Sequence, residues 1–412
     1  MSKENVNNSI IDKIITIMKP GYICNHCLGR QFAQILTGMT NEERGKIIRS
    51  FAAMLYDANE IDVHPSNFYN LKLRNKLPGK KEKCYMCGDI FNSLEKVFKK
   101  IEKKLKGIEF DSMLMGTRLS SELLEKEETL WSKIGIEYCE PLKAELNREI
   151  GKLIEKKLRK KVDFKNPQVS ILYDIGKNKI EISIKPIYIY GEYQKLKRGI
   201  PQTKWPSGKY KNSIEQIVAK PIMKLTKGSG HKFHGAGRED IDALCLGWRP
   251  FVIEISNPKV RKFNLNKIKE EINRDKRINV RKLRWSNLKE VIKIKESRYR
   301  KEYTCKVVCE KPIKKKDLTK LKLLITTIKQ RTPTRVLHRR SDLLRKRNIY
   351  DIKSKFLSSK KFELRVFTEA GTYIKELVSG DNKRTKPSVS SILNNECVCK
   401  DLIVTKIKKK SK

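Results

Sequence analysis

Apolar positions recur at helical spacing from the start of the chain. Ser9-Ile-Ile-Asp-Lys-Ile-Ile-Thr-Ile-Met18 predicts an amphipathic helix that Lys19-Pro20-Gly21 ends. Helices are also predicted over Arg30–Leu36, Glu42–Leu55, Phe91–Ile108 and Glu140–Arg159, and strands over Ile108–Gly116, Val169–Tyr173 and Ile180–Ile189. Farther along come an apolar stretch Ile214–Leu225, a buried strand Phe251–Ile255, a charged amphipathic helix Asn264–Arg277 and a strand Val280–Trp285. Tyr299–Glu310 alternates, which puts Tyr303, Cys305, Val307 and Cys309 on one face of a strand. Leu318–Ile328 reads as helical, Phe362–Phe367 as a strand, and Thr368–Asp381 as a turn and a short helix. A helix from Val389 and a strand Cys397–Val404, with Cys397 and Cys399 on one face, precede a basic tail, Lys406–Lys412.

Helices and strands mixed in this way predict an α+β protein, and 412 residues allow two or three domains. The pattern divides into a mainly helical part, 1–107, a smaller α+β part, 108–200, and a C-terminal domain, 201–412.

Charge changes the picture most. Lys and Arg number 93 against 47 Asp and Glu, a net charge of +46. A surface so basic calls for a polyanion, and nucleic acid gains affinity from every phosphate neutralised. The basic residues run through all segments. They are densest between Gln330 and Arg347, which reads either as an RNA-gripping loop or strand edge or as a solvated charge run. Tyr188–Pro206 interleaves aromatic with basic residues and includes Arg198, a further candidate contact. No stretch approaches a membrane span and residues 1–8 lack the apolar core of a signal peptide, so a cytoplasmic protein is expected.

The ten cysteines do not form a disulfide framework. Cys24-Asn-His-Cys27 and Cys84-Tyr-Met-Cys87 are two Cys-X-X-Cys turns that together offer four thiolates, the set of a closed tetrahedral zinc site; the alternative is two unrelated buried pairs. His26 is a competing ligand or a residue of the turn.

One carboxylate stands out. In His234-Gly-Ala-Gly-Arg-Glu-Asp-Ile-Asp-Ala243, small residues lead to Arg238-Glu239-Asp240 just before the apolar strand, so Asp240 is presented from a glycine-rich loop on a rigid support. It could be a structural ion-pair residue, a magnesium ligand with Asp242, or a nucleophile or base. Dinucleotide, methyl-donor and Walker-type loops are lacking, which leaves cofactor-free carboxylate chemistry on RNA.

Beside Gly237-Arg-Glu-Asp240 stand the paired Cys-X-X-Cys turns, Tyr188-Ile-Tyr-Gly, Arg198-Gly-Ile-Pro-Gln-Thr, Lys301-Glu-Tyr303, Arg331 to Arg340 and Ala370-Gly-Thr-Tyr-Ile-Lys375. With these motifs over nearly its whole length, the chain resembles the archaeal tRNA pseudouridine synthases that isomerise uridines 54 and 55 of the TΨC arm. The resemblance implies an N-terminal zinc-binding, THUMP-containing region and a C-terminal synthase domain with a mixed, mainly antiparallel sheet. It further implies Asp240 as catalytic aspartate, Tyr303 stacked on the flipped uracil, Tyr373 as a second substrate contact, and Lys375 as the cationic residue paired with the aspartate. Arg238 becomes an anchor beside the flipped nucleotide, Asp242 a structural residue, and zinc a structural ion with no cofactor needed for catalysis. The chain departs from the family at Ala243-Leu-Cys-Leu-Gly-Trp248, where members carry an Arg-Met pair. Two rival classes are a THUMP-bearing RNA methylase or thiolase and a non-catalytic RNA-binding or RNA-remodelling protein.

Overall fold

The protein, described by a computed structural model over residues 9–408, forms two compact units that divide between Lys185 and Pro186. The part of the basic tail at 409–412, like residues 1–8, lies outside the described residues; 406–408 belong to the last strand.

In the first unit, Ser9 and Asp12 form a capping box on helix Ile10–Met18, which buries Ile14, Ile17 and Met18. These side chains join one apolar core with Leu28, Phe68 and the Cys84-Tyr-Met-Cys87 turn. A second core lies under a four-stranded sheet of β1 (Ser112–Arg118), β2 (Lys161–Val162), β3 (Val169–Asp174) and β4 (Lys179–Ile184), in the order β2-β1-β3-β4. Helix Leu142–Leu158 covers this sheet with Ile150 and Ile154. Helix Ser121–Ile134 has no counterpart in the apolar pattern, because it buries only Glu127, Leu130 and Ile134.

The strand read over Ile180–Ile189 is two strands. Pro186 has no N–H to continue the ladder, and β5 (Ile187–Lys195) belongs to the second unit, where it pairs with β7 (Leu244–Ser256) and β8 (Ile278–Ser286). The unit boundary therefore falls ahead of the 200 read from the sequence.

The second unit is one broad sheet. Between β5 and β7 the chain makes helix Ile214–Thr226 and β6 (Gly230–Gly235). Beyond β8 follow β9 (Arg300–Cys309), β10 (Thr327–Arg331), β11 (Leu344–Ser358), β12 (Lys361–Thr368), β13 (Thr385–Lys386) and β14 (Cys397–Lys408). Leu318–Ile328, expected to be helical, is a 3-10 turn Lys315–Leu324 followed by β10, with Leu318, Leu321 and Leu324 buried at three-residue spacing. The order is β13-β10-β11-β12-β9-β14-β7-β5-β8, with β6 also on β7. Every pairing is antiparallel except β14 with β7. On β9, Tyr303, Cys305, Val307 and Cys309 are all buried, as their alternation predicts.

The sheet positions the site through a change of partner. Strand β7 pairs with β6 along Phe251–Ser256 and with β14 at Leu244–Cys245. Residues 236–243, which connect β6 to β7, occupy the fork where those two neighbours part.

Candidate active site

The fork loop carries Asp240, and its backbone carbonyls are satisfied from below. Arg249 Nη1 donates to Ala236 O (2.8 Å) and Gln202 Nε2 to Gly237 O (2.9 Å). Lys195 Nζ donates to Asp240 O (3.1 Å) and Ile241 O (2.8 Å), and Arg198 Nη1 to Asp242 O (2.6 Å). Arg198, in sequence a candidate RNA or active-site contact, braces this loop. Glu239 turns inward: Tyr193 Oη donates to it at 3.1 Å, and Arg249 Nε lies 3.0 Å from Oε2 in a fully buried ion pair whose N–H is not aimed along a hydrogen bond. Burial, followed by Glu239, pushes the Tyr193 phenol well up, and burial pulls the Lys195 amine down. With so many fixed donors below it, the loop holds Asp240 without using its carboxylate.

Gly237 makes the turn possible. Its φ is +75°, and an added Cβ would lie 2.8 Å from Lys301 Nζ. Gly237→Ala is expected to destabilise the second unit by about 1–3 kcal/mol through backbone strain; denaturant unfolding checks this, and an unchanged midpoint would count against the strain.

Asp240 is about one-third exposed at the floor of a cleft of about 670 Å³. Arg238, Tyr303 and Tyr373 line the same cleft. Arg238 lies 6.0 Å from the centre of the Trp205 ring at its mouth. Tyr373 is held by its backbone, which exchanges two 2.9 Å hydrogen bonds with the Gln330 side chain, and its hydroxyl accepts from Arg340 Nη1 at 2.8 Å. Tyr303 is buried against β12 and β14, which pushes its phenol up, and it lines the cleft.

The cation closest to Asp240 is not the one the sequence indicated. Lys375 Nζ is 3.8 Å from Asp240 but 2.6 Å from Asp242, whose carboxyl it holds below its usual range against the upward push of burial. Both oxygens of Asp240 are taken by the fork of Arg335, at 3.2 and 3.1 Å. Arg335 Nε in turn donates to buried Glu376 at 2.7 Å. Although burial lowers it, Glu376 and then Asp240 hold the Arg335 guanidinium above its ordinary value. Arg335 sits in the arginine-dense stretch, one of many equivalent residues in sequence. Trp248 is covered by Arg281, its guanidinium 4.1 Å from the ring centre.

The first unit contains the cysteine cluster. The Sγ atoms of Cys24, Cys27, Cys84 and Cys87 all lie within 4.8 Å of one another, and Cys24 and Cys87 are 3.7 Å apart. Tetrahedral sulfur ligands at ~2.3 Å from a metal have edges of about 3.8 Å, so the four fit a metal ion. The Cys24 N–H donates to Cys84 Sγ at 3.2 Å; against burial, the neighbouring thiols and this donor hold Cys84 well below the ordinary thiol range. His26 is no ligand here: Nδ1 lies 2.9 Å from Glu145 Oε1 and the ring stacks on Phe91. Among the described residues no other group of His, Cys, Asp or Glu is assembled for a metal, and no helix is long and apolar enough to cross a membrane.

Residues 188–408 match the family described as Pus10, C-terminal, and residues 97–174 the archaeal Pus10 THUMP domain. The tRNA pseudouridine synthase Pus10 of Pyrococcus furiosus is 40% identical over 401 residues, 97% of this chain and 98% of that relative. The protein of the same name from Methanocaldococcus jannaschii is 39% identical over 428 aligned residues, 95% of this chain and 93% of the relative. One solved structure, of a Cbf5-Nop10-Gar1 complex, aligns with 53% of this chain and 50% of the matched chain at 17% identity and a TM-score of 0.33.

Proposed function

The chain belongs to the Pus10 family of tRNA pseudouridine synthases, and we propose that it isomerises uridines 54 and 55 in the TΨC arm of tRNA, in the cytoplasm, with Asp240 as the catalytic aspartate. The observation that carries this reading is the Asp240 carboxylate, gripped by Arg335 in a cation-rimmed cleft and held by a loop whose carbonyls are capped by Lys195, Arg198, Gln202 and Arg249. Family membership sets aside the methylase or thiolase and the non-catalytic binder.

A uridine in a folded arm must leave its stack to expose the glycosidic bond, and an aromatic face replaces part of the lost stacking. Tyr303 takes that role, with Tyr373 as a second contact and Arg238 as an anchor for the flipped nucleotide. Asp240 acts on the sugar as a nucleophile or as the base that starts a glycal route. The bond from C1′ to N1 breaks, the uracil turns, and C5 joins C1′. Arg335 and Lys375 hold the carboxylate aimed into the cleft. Nothing in this sequence of steps calls for a cofactor.

Carbodiimide mapping of tRNA transcripts after incubation with the purified protein tests the reading. Modification at 54 and 55 is expected; conversion at neither position would overturn it.

The four cysteines hold a structural zinc ion in this reading. Cys24→Ser with Cys84→Ser is expected to remove bound zinc, to below about one-tenth of an equivalent, and to lower the melting temperature of the first unit, since metal-binding energy is folding energy. Metal analysis beside a thermal melt checks it; unchanged zinc stoichiometry would rule the site out.

A further inference from the structure

One buried cation in the cleft has no partner among the described residues. Lys301 shares a face of β9 with Tyr303, is 7% exposed and lines the same cleft. Its amine ends beneath the Gly237 turn. Arg249, its cationic neighbour, is engaged by Ala236 O and Glu239, whereas Lys301 makes no hydrogen bond or ion pair among the described residues. Burial and then Arg249, offset in part by Cys245 and Glu239, bring its pKa down to about 7. Removing an ammonium from water without an acceptor costs several kcal/mol, and an apolar side chain of the same length would avoid that cost. The arrangement makes sense if the acceptor arrives with the substrate.

We propose that Lys301 is a catalytic residue that stabilises the detached uracil as an anion, an inference that rests on the isomerase reading above. When the C1′–N1 bond breaks, both electrons leave with the ring, and the negative charge spreads over N1, O2 and O4. The sugar carbon stays with Asp240, as an ester or as a glycal after proton transfer. C5 then bonds to C1′ while the ester bond from C1′ to Asp240 breaks, or while Asp240 returns its proton to C2′ of the glycal; C5 gives its proton to water and N1 takes one up, so Asp240 is free again and the overall change is an isomerisation. Tyr303 supports the plane of the ring but not its charge. An ammonium serves the turning ring because O2, O4 and N1 can each accept from it in succession. Being donor-only, it also disfavours cytosine, which presents an amino group in place of O4.

The test uses the full chain, saturating tRNA transcripts and single turnover, with uridine or 5-fluorouridine in the transcript. Lys301→Met is expected to bind tRNA within about threefold of wild type and to convert uridine about 10²–10³-fold more slowly. Fluorine stabilises the leaving anion, and because the fluorinated ring has no proton at C5 its sequence stops once C5 has joined C1′; formation of that C5-linked nucleoside is read in place of pseudouridine, and there the loss should shrink by about tenfold or more. A wild-type rate, or equal losses on the two transcripts, would overturn the proposal. Lys301→Gln, also neutral, decides the matter in the same way if the methionine variant does not fold. Wild-type protein inactive on uridine transcripts would overturn the isomerase reading and the role of Lys301 with it.

Discussion

Asp240→Asn is expected to lower pseudouridine formation by about 10⁴-fold or more, the scale set by removing a nucleophile or base from a catalytic site. Binding of tRNA should stay within about threefold, because affinity for RNA rests on many phosphate contacts. The substitution tests chemistry and not folding. The loop is fixed through backbone carbonyls by Lys195, Arg198, Gln202 and Arg249, and asparagine leaves all those bonds in place. Arg335 keeps Glu376. Carbodiimide mapping and filter binding on the same preparation separate the two effects, and an asparagine variant that converts at the wild-type rate would remove Asp240 from the mechanism.

The second large effect concerns Arg335. Arg335→Met is expected to slow conversion about 10²–10³-fold, as loss of one preorganised charged donor does. Arg335→Lys should recover part of that loss, because the charge remains while the two-pronged grip on Asp240 is gone. The methionine variant also leaves Glu376, 5% exposed, without its cation; because the Arg335 end of the pair is 38% exposed, the cost is that of one unsatisfied buried acceptor, about 1–3 kcal/mol. Adding Glu376→Gln should therefore restore stability and leave the rate low. Single-turnover rates and thermal melts on the three variants check the pattern, and Arg335→Met with wild-type turnover would show the contact to be incidental.

Local chemistry was the readable part of this chain. Cys24 and Cys84 are 60 residues apart, yet each belongs to a short turn whose spacing carries its meaning. The faces of β9 followed from parity. Asp240 was conspicuous because a loop of glycines led to it. Arg335 and Lys301 were hidden for the opposite reason: among 93 basic residues, only the fold shows which one meets a carboxylate and which is buried with nothing. The preference of Lys375 for Asp242 depends on the path of the fork loop, which no spacing encodes. Helix Ser121–Ile134 was invisible because it has little apolar face to read.

The sheet is narrowly joined at the fork. Strand β14 follows β9 from Cys397 to Lys408 but meets β7 only at Ile403–Leu244 and Val404–Cys245. Asp240 hangs from one side of this join; Tyr303, Arg335, Tyr373 and Glu376 come from the other. Ala243 and Cys245 share one apolar core with Tyr303, Cys305 and Val404, so packing, and not the two ladder pairs alone, sets the spacing between the acid and its cations: a cavity cut into that core far from the cleft would be felt at Asp240.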